Sequence, residues 1–213
     1  MDKKIYWDNR FQSEGYVWGT SPSQTAGYAA GVFRKNGVKK VLVPGSGYGR
    51  NTKVLSESGF DVTGVEVSEV ACEMAREYDP QTRTYNGSIL DMSFDDIRYD
   101  AVYCYNVLHL FREKERKQCL QACADKVKGN GLLFFTLFSD RDPSFGKGQK
   151  VEKNTFESRP GRPVHYFTEA ELRAYFKDFK IIESGVTEDP ENHGEGPHTH
   201  VLHYILARKP QSE

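Results

Sequence analysis

The chain has 213 residues, which is enough for one α/β domain and leaves little room for a second core. With 38% hydrophobic residues and a formal net charge of -1, it lacks the basic excess that drives binding to nucleic acid or to an anionic membrane. No apolar run approaches the roughly 20 residues that span a bilayer, and the N-terminus has no apolar signal-peptide core, so we expect a cytoplasmic protein.

Strands and helices alternate in the pattern from about residue 23 to the C-terminus. Short apolar runs that end at turn residues predict strands, and segments that begin at cap residues such as Ser68 and Thr168 predict helices. The predicted strands cover residues 40–44, 61–66, 82–86, 99–105, 131–138, 179–186 and 200–208. The predicted helices cover residues 50–58, 69–78, 113–127 and 169–176.

The connections between these strands indicate how the strands pair. The first five are joined mostly by helices, which is typical of parallel strands. Residues 187–199 are too short and too rich in Gly and Pro for a crossover helix, which predicts a loop between two antiparallel neighbours. The expected fold is therefore α/β, a Rossmann-like three-layer α/β/α sandwich whose mostly parallel seven-stranded sheet ends in a C-terminal antiparallel hairpin.

We expect a single domain over residues 1–213. Residues 1–38 would form an N-terminal cap and the first helix, and residues 39–213 would form the core. Residues 139–167 are long, contain several prolines and glycines, and follow a central strand. Long loops that leave the carboxyl end of such a strand typically cover a ligand site, so we expect this segment to be a lid loop.

A glycine-rich loop follows the first strand. Gly45, Gly47 and Gly49 permit the positive φ angles of a tight turn and let a ligand approach the backbone. Glu66 ends the next strand about 20 residues on, where a carboxylate can accept both hydroxyls of a ribose. Arg50 stands where the third glycine of a dinucleotide loop belongs, and the sequence has no G-x-x-x-x-G-K-[ST] loop. These features favour an adenosine-containing ligand other than a dinucleotide.

At these residues the chain resembles a known family. PGSGYGR (residues 44–50) and FDVTGVEVSEVA (residues 60–71) are similar to the first two motifs of class I S-adenosylmethionine-dependent methyltransferases. YWDNRFQSEGYVWG (residues 6–19) resembles the opening of the thiopurine and tellurite-resistance branch. Pro44 departs from the commoner form, which carries an acid there. The resemblance covers almost the whole chain and implies a methyltransferase with S-adenosyl-L-methionine as cofactor and a small-molecule acceptor.

The resemblance also implies which residues bind the cofactor. Ser88 and Ile89, after the third strand, would hold the adenine, and Asn106, after the fourth, would lie beside the methionine part. Aromatic faces attract the cationic sulfonium, which gives Trp18 a role, and Arg10 could reach the ligand's carboxylate. The expected cofactor-binding residues are Trp18, Gly45, Ser46, Gly47, Glu66, Val67, Ser88, Ile89 and Asn106.

No motif assigns a catalytic residue with certainty. His109 is the candidate, and it is either a base near the acceptor or a packed histidine at the start of a helix. His193, His198 and His200 are close in sequence to Glu191, but without a fixed third ligand we expect no metal site. The four cysteines form no C-x-x-C pair, which is typical of reduced thiols in a cytosolic protein.

The sequence does not identify the acceptor. A soft nucleophile, such as a thiol or a chalcogen oxyanion, needs little base catalysis, which agrees with a sequence that has no compelling catalytic pair. Arg159 and Arg162 could attract an anionic substrate. Two other interpretations stay open, namely a non-catalytic protein that binds S-adenosylmethionine and an NAD-dependent oxidoreductase. We expect no nucleic-acid or membrane partner, and the oligomeric state stays open.

Overall fold

The structure is a computed structural model that describes residues 3–94, 96–193 and 196–211. Its helices are α1 (Lys3–Glu14), α2 (Gln24–Lys35), α3 (Arg50–Glu57), α4 (Glu69–Tyr78), α5 (Glu113–Lys126) and α6 (Glu169–Tyr175). Its strands are β1 (Lys40–Pro44), β2 (Asp61–Glu66), β3 (Arg83–Asn86), β4 (Tyr99–Tyr105), β5 (Val127–Phe138), β6 (Gln149–Glu152), β7 (Thr155–Arg159), β8 (Arg162–His165), β9 (Lys180–His193) and β10 (Gly196–Arg208). A short 3-10 turn covers Leu108–Leu110.

Seven strands form one central sheet in the spatial order β3-β2-β1-β4-β5-β10-β9. Strands β1 to β5 pair in parallel, whereas β10 pairs antiparallel with both β5 and β9. Strands at the centre of a parallel sheet are covered on both faces, which is why β1 and the second half of β5 are almost wholly apolar. The predicted Rossmann-like architecture with a C-terminal antiparallel hairpin is confirmed.

The order of the strands reverses between β1 and β4. From β1 the chain moves outward through β2 to β3 and then returns to β4 on the other side of β1. Connections that leave neighbouring strands in opposite directions open a crevice at the carboxyl ends of those strands, and ligands of such sheets lie there. The topology therefore selects one edge of the sheet as the place for a site.

The C-terminal hairpin is longer than the sequence predicted. Pairing between β9 and β10 reaches Gly196 opposite His193, so the loop predicted at residues 187–199 is wrong. The Gly and Pro content suggested a loop, but β9 is an edge strand, where the missing N–H of Pro190 is tolerated. Backbone pairing along the rest of the ladder outweighs the weak strand preference of this segment.

Residues 139–167 are also more regular than predicted. They contain β6, β7 and β8, which form a separate three-stranded antiparallel sheet. Its turns use residues that tolerate a left-handed backbone, Asn154 with φ of +53° and Gly161 with φ of +74°. β8 packs against the 3-10 turn Leu108–Leu110, so the predicted lid loop is instead a small sheet beside the crevice.

Apolar side chains fill both faces of the central sheet. Along β5, Leu133 and Phe135 join the core on one face, and Phe134 joins the core on the other, as the two-residue period of a strand requires. All four cysteines are free and buried. Among the residues that the structure describes, no helix is long and apolar enough to cross a membrane.

One buried carboxylate ties α3 and α4 to the start of β3. Asp79 follows α4, is 2% exposed and accepts hydrogen bonds from three hydroxyl groups. The donors are Thr52 at 2.7 Å, Ser56 at 2.8 Å and Thr82 at 2.6 Å. On folding, each hydroxyl replaces a hydrogen bond to water with one to the Asp79 carboxylate, so the cluster depends on Asp79.

We predict that Asp79→Ala lowers the free energy of unfolding by about 1–3 kcal/mol, because buried hydroxyls lose their acceptor. Urea denaturation followed by circular dichroism measures the change. Asp61→Ala is the matched control, since Asp61 lies 3.7 Å from Lys40 in an exposed ion pair of the kind worth about 0–1 kcal/mol. Equal losses in the two variants would contradict the role given to Asp79.

Candidate active site

A deep cavity opens at the carboxyl ends of β1, β2 and β4. Its empty volume is about 1490 Å³, the open mouth included. The loop after β1 and the turns after β2 and β3 line one end, and side chains that follow β4, β5 and β7 line the other. Helix α1 covers the cavity with Lys3, Tyr6, Trp7, Arg10 and Phe11.

The glycine loop after β1 takes a left-handed backbone conformation that is unfavourable for residues with a side chain. Gly45 and Gly47 have φ angles of +66° and +56°, which residues with a Cβ rarely adopt. The N–H groups of Gly45 and Ser46 donate to the carbonyl oxygen of Val65 at 2.7 and 3.2 Å. A Cβ on Gly45 would lie 2.4 Å from Cγ2 of Val107, so the loop passes the residues after β4 as bare backbone.

Glu66 ends β2 and ties the glycine loop to the next turn. Its Oε2 accepts the N–H of Gly47 and its Oε1 accepts the N–H of Ser68, both at 2.9 Å. Burial raises the pKa of Glu66, and hydrogen bonds from backbone N–H groups oppose that rise. A carboxylate oxygen has more than one acceptor site, so Glu66 can also accept hydroxyl groups of a ligand at the cavity wall.

Ser46 lies in the glycine loop with its hydroxyl turned toward β2. A Cβ on Gly64 would lie 2.7 Å from Oγ of Ser46, so the glycine in β2 makes room for that hydroxyl. The Oγ is buried and has no hydrogen-bond partner in the described part of the chain. Ser46 also lines the cavity.

Val67, Ser88 and Ile89 line the wall beyond Glu66. The side chain of Ile89 is buried, and the N–H of Gly87 donates to the carbonyl oxygen of Glu66 at 2.9 Å, which joins the turn after β3 to the end of β2. An apolar wall edged by backbone polar groups suits a flat heterocyclic ring.

Asn106 follows β4 in a left-handed conformation with φ of +53°, which Asn tolerates better than most residues. Its N–H donates to the carbonyl oxygen of Thr136 at 3.1 Å, and its Oδ1 accepts the hydroxyl of Thr136 at 3.1 Å. Both contacts fix the residue at the cavity wall. The side-chain oxygen is thus used within the protein, and the amide nitrogen is the atom left to donate to a ligand.

Aromatic rings join the N-terminal segment to the glycine loop. Trp18 stacks on Tyr48 with ring centroids 6.2 Å apart, and Phe11 packs edge-on against both. The hydroxyl of Tyr48 accepts the N–H of Trp18 at 3.1 Å and donates to the carbonyl oxygen of Gly19 at 2.7 Å. Arg10 is buried, with its guanidinium carbon 5.0 Å from the centroid of Trp18. The cap and the loop therefore form one packed unit.

Arg50, which replaces the third glycine of a dinucleotide loop, lines the same cavity. Its guanidinium donates to the carbonyl oxygen of Trp18 at 2.9 Å and to the hydroxyl of Tyr105 at 3.4 Å. That hydroxyl in turn donates to Asp189 of β9. Arg50 therefore ties the N-terminal segment to β4, and Tyr105 extends this connection to the carboxylate of Asp189.

Basic and aromatic side chains line the other end of the cavity. His109 is buried and stacks on Phe138 with ring centroids 4.3 Å apart. Burial, together with the nearby charge of Arg162, holds the pKa of His109 well below its usual range, so the imidazole is neutral at pH 7. Among the described residues, neither Nδ1 of His109 nor Nε of Arg162 has a hydrogen-bond partner. Both groups are thus available to polar atoms of a ligand.

The cavity brings together all the residues that the sequence predicted for cofactor binding. They are Trp18, Gly45, Ser46, Gly47, Glu66, Val67, Ser88, Ile89 and Asn106, and each lines the cavity. His109 and Arg162 line it as well, whereas Arg159 is exposed at the end of β7 and does not.

The lining also includes residues that were not predicted, among them Tyr48, Tyr105 and Phe138. Tyr48 could have been found from its place inside the glycine loop. Tyr105 and Phe138 are the last residues of β4 and β5, so their position at the carboxyl ends of strands was also a usable signal.

Known proteins resemble the central part of the chain. Residues 42–135 match the sequence model of a methyltransferase domain. A glycine/sarcosine N-methyltransferase of Aphanothece halophytica is 30% identical over 139 residues, which are 62% of this chain and 48% of that protein. The chain spans about half the length of the curated relatives it matches.

Solved structures share the fold over nearly the whole chain. One, from work on the conversion of a disulfide bond into a thioacetal group during echinomycin biosynthesis, has a TM-score of 0.76 at 17% identity and covers 99% of this chain and 94% of that chain. Another is the magnesium protoporphyrin IX methyltransferase of Synechocystis PCC 6803 with bound SAM. It has a TM-score of 0.70 at 17% identity and covers 98% of each chain. At these identities the likeness establishes the fold.

We predict that Gly45→Ala lowers the free energy of unfolding by about 1–3 kcal/mol more than Gly37→Ala does, because the new methyl group collides with Val107. Gly37 is the matched control, since its φ is +69° and a Cβ there would meet nothing within 4 Å. Both variants place alanine at nearly the same positive φ, so the difference between their free energies of unfolding isolates the collision with Val107. Urea denaturation measures it, and equal losses would show that the loop does not need bare backbone at Gly45.

Proposed function

We propose that this chain, which carries a class I methyltransferase domain, transfers the methyl group of S-adenosyl-L-methionine to a small soft nucleophile such as a thiol or a chalcogen oxyanion. One observation carries the proposal: a single cavity has two chemically different ends. The glycine loop and Glu66 lie at one end, and the neutral His109 and the cationic Arg162 lie at the other. The first end fits the cofactor, and the second is open to an acceptor.

The residues at the first end match the parts of the cofactor. Glu66 can accept the ribose hydroxyls, and Val67 and Ile89 give the adenine an apolar surface. Arg10 is 6% exposed, and its Nε lies 3.4 Å from Oε1 of Glu14 in an ion pair that lacks hydrogen-bond geometry. The guanidinium lines the cavity and can bind a second carboxylate, and the cofactor carries one at its methionine end. The rings of Trp18 and its neighbours offer their faces to a sulfonium.

When bound, S-adenosylmethionine supplies a methyl group that is already activated for transfer. The chain contributes position and a dry pocket. Helix α1 closes the cavity above the glycine loop with apolar rings, which limits the access of water. Alignment of two reactants in such a pocket lowers a barrier by about 7–11 kcal/mol, so no strong acid or base is needed.

The acceptor end favours a nucleophile that is already an anion. Arg162 brings a buried positive charge, and a strongly lowered pKa makes His109 a weak base. A thiolate or a chalcogen oxyanion is attracted by the positive charge of Arg162 and does not require His109 as a base. An amine or an alcohol would need a proton acceptor better matched to neutral pH.

We place this activity in the cytoplasm and propose no nucleic-acid or membrane partner. The four cysteines are buried and free, which agrees with a reducing compartment. The net charge of -1 gives nucleic acid no electrostatic advantage as a substrate.

We predict micromolar binding of S-adenosylmethionine and S-adenosylhomocysteine, weakened tenfold or more (~1.4 kcal/mol) by Glu66→Ala, because the ribose loses its acceptor. Isothermal titration calorimetry measures both affinities. Glu66→Gln retains an oxygen for the loop and serves as the milder variant. Glu73→Ala is the control, since Glu73 is exposed on α4. This variant should bind both ligands as tightly as the wild type does.

Failure to bind either ligand by well-folded wild-type protein would overturn the proposal. A rise in melting temperature with NADH would then favour an oxidoreductase. Binding without turnover on any acceptor would instead favour a protein that only senses the cofactor.

We predict that His109→Gln reduces kcat less than tenfold with a thiol, selenite or tellurite acceptor, because an anionic nucleophile needs no base. Loss of a general base typically costs about 10²–10⁴ in rate. Transfer of a radiolabelled methyl group to a panel of thiols, chalcogen oxyanions, amines and phenols measures the rates. A preference for amines or phenols, or a loss of 10² or more in this variant, would contradict the soft-nucleophile assignment.

A further inference from the structure

Three side chains with metal-binding atoms converge near the tip of the β9–β10 hairpin. Glu191 stands opposite His198 across the ladder, and His200 lies two residues further along β10, so all three share one face. Their ligand atoms all lie within 4.8 Å of one another. Oε2 of Glu191 is 3.9 Å from Nε2 of His198 and 3.9 Å from Nε2 of His200. The side chain of His193, the other histidine of this segment, lies outside the described residues.

Hydrogen bonds orient both imidazoles toward Glu191. Nδ1 of His198 lies 2.8 Å from the carbonyl oxygen of Gly196, which can only accept, so this nitrogen carries the proton. Nδ1 of His200 lies 2.9 Å from Oδ2 of Asp142, a carboxylate that is itself held by the N–H of Val201. In the neutral form of each ring, Nε2 is then the unprotonated nitrogen, and each Nε2 lies 3.9 Å from the same oxygen of Glu191. A carboxylate behind a histidine is the usual support of a metal ligand.

The spacing of the three atoms fits an ion better than a hydrogen bond. At 3.9 Å neither imidazole donates to Oε2 of Glu191. Tetrahedral ligands about 2.0–2.1 Å from a zinc ion lie roughly 3.3–3.4 Å apart. The three ligand atoms, which now lie within 4.8 Å of one another, have to move closer together to reach that spacing.

We propose that Glu191, His198 and His200 bind one divalent transition-metal ion of the zinc class. Two imidazole nitrogens and one carboxylate oxygen suit such ions and leave a coordination position open. Glu191 and His200 line the cavity, and the ring of His200 lies 4.5 Å from the ring of Phe138. The site therefore borders the same cavity, beside Phe138. The sequence alone led us to expect no metal, because it does not show that Glu191 stands opposite His198.

An ion at this place would have a role in the methyl transfer proposed above. A thiolate or an oxyanion is a good fourth ligand for zinc, so the ion would hold the acceptor beside the methyl donor. This role rests on the proposed function, whereas binding of the ion does not. The two can therefore fail independently.

The test is direct metal binding to protein that carries no polyhistidine tag and has been treated with a chelator. We expect one Co²⁺ per chain with visible d–d absorption that Zn²⁺ displaces. His198→Ala and Glu191→Gln should each weaken binding at least tenfold, and Asp142→Asn should weaken it about 10–100-fold through His200. Glu188→Gln is the matched control, since Glu188 is an exposed carboxylate on the opposite face of β9.

Two outcomes would overturn the proposal. One is the absence of stoichiometric binding by the wild type, and the other is equal affinity in wild type, His198→Ala and Glu191→Gln. Melting curves confirm that each variant is folded. Calorimetry with S-adenosylhomocysteine on the same samples distinguishes failure of the metal site from failure of the proposed function, because Glu66 and the glycine loop are unchanged in every variant.

Discussion

The buried carboxylate of Glu66 is the contact on which the site depends. It holds the N–H of Gly47 on one side and the N–H of Ser68 on the other, so two turns that follow different strands keep a fixed spacing. Burial makes the charged form costly, and the backbone donors recover much of that cost. One residue therefore shapes the loop and also lines the cavity.

The N-terminal helix completes this site through the glycine loop itself. Tyr48 lies between two of the loop glycines, and its ring and hydroxyl both engage the segment around Trp18. Arg50 adds a third connection, from the end of the loop to Trp18 and to Tyr105. These contacts hold the cap against the loop, so the cover of the cavity and its floor depend on the same residues.

The C-terminal hairpin gives the cavity its second chemical character. The register of β9 and β10 brings Glu191 and His200 to the cavity wall. Asp189 accepts the hydroxyl of Tyr105, which in turn accepts a hydrogen bond from Arg50. The same hairpin thus anchors Arg50 and supplies polar groups to the cavity. A hairpin of the predicted length would have ended short of Glu191.

The sequence by itself determined the sheet, most of its helices and the cofactor end of the cavity. These depend on local signals: apolar runs, the caps Ser68 and Thr168, and glycines where φ is positive. Only the tertiary structure decided the acceptor end. His200 meets Asp142 across 58 residues of sequence, and Tyr105 meets Asp189 across 84. Such contacts follow from the register of whole strands. Hydrogen bonds along the full ladder set that register, and no local sequence pattern encodes it.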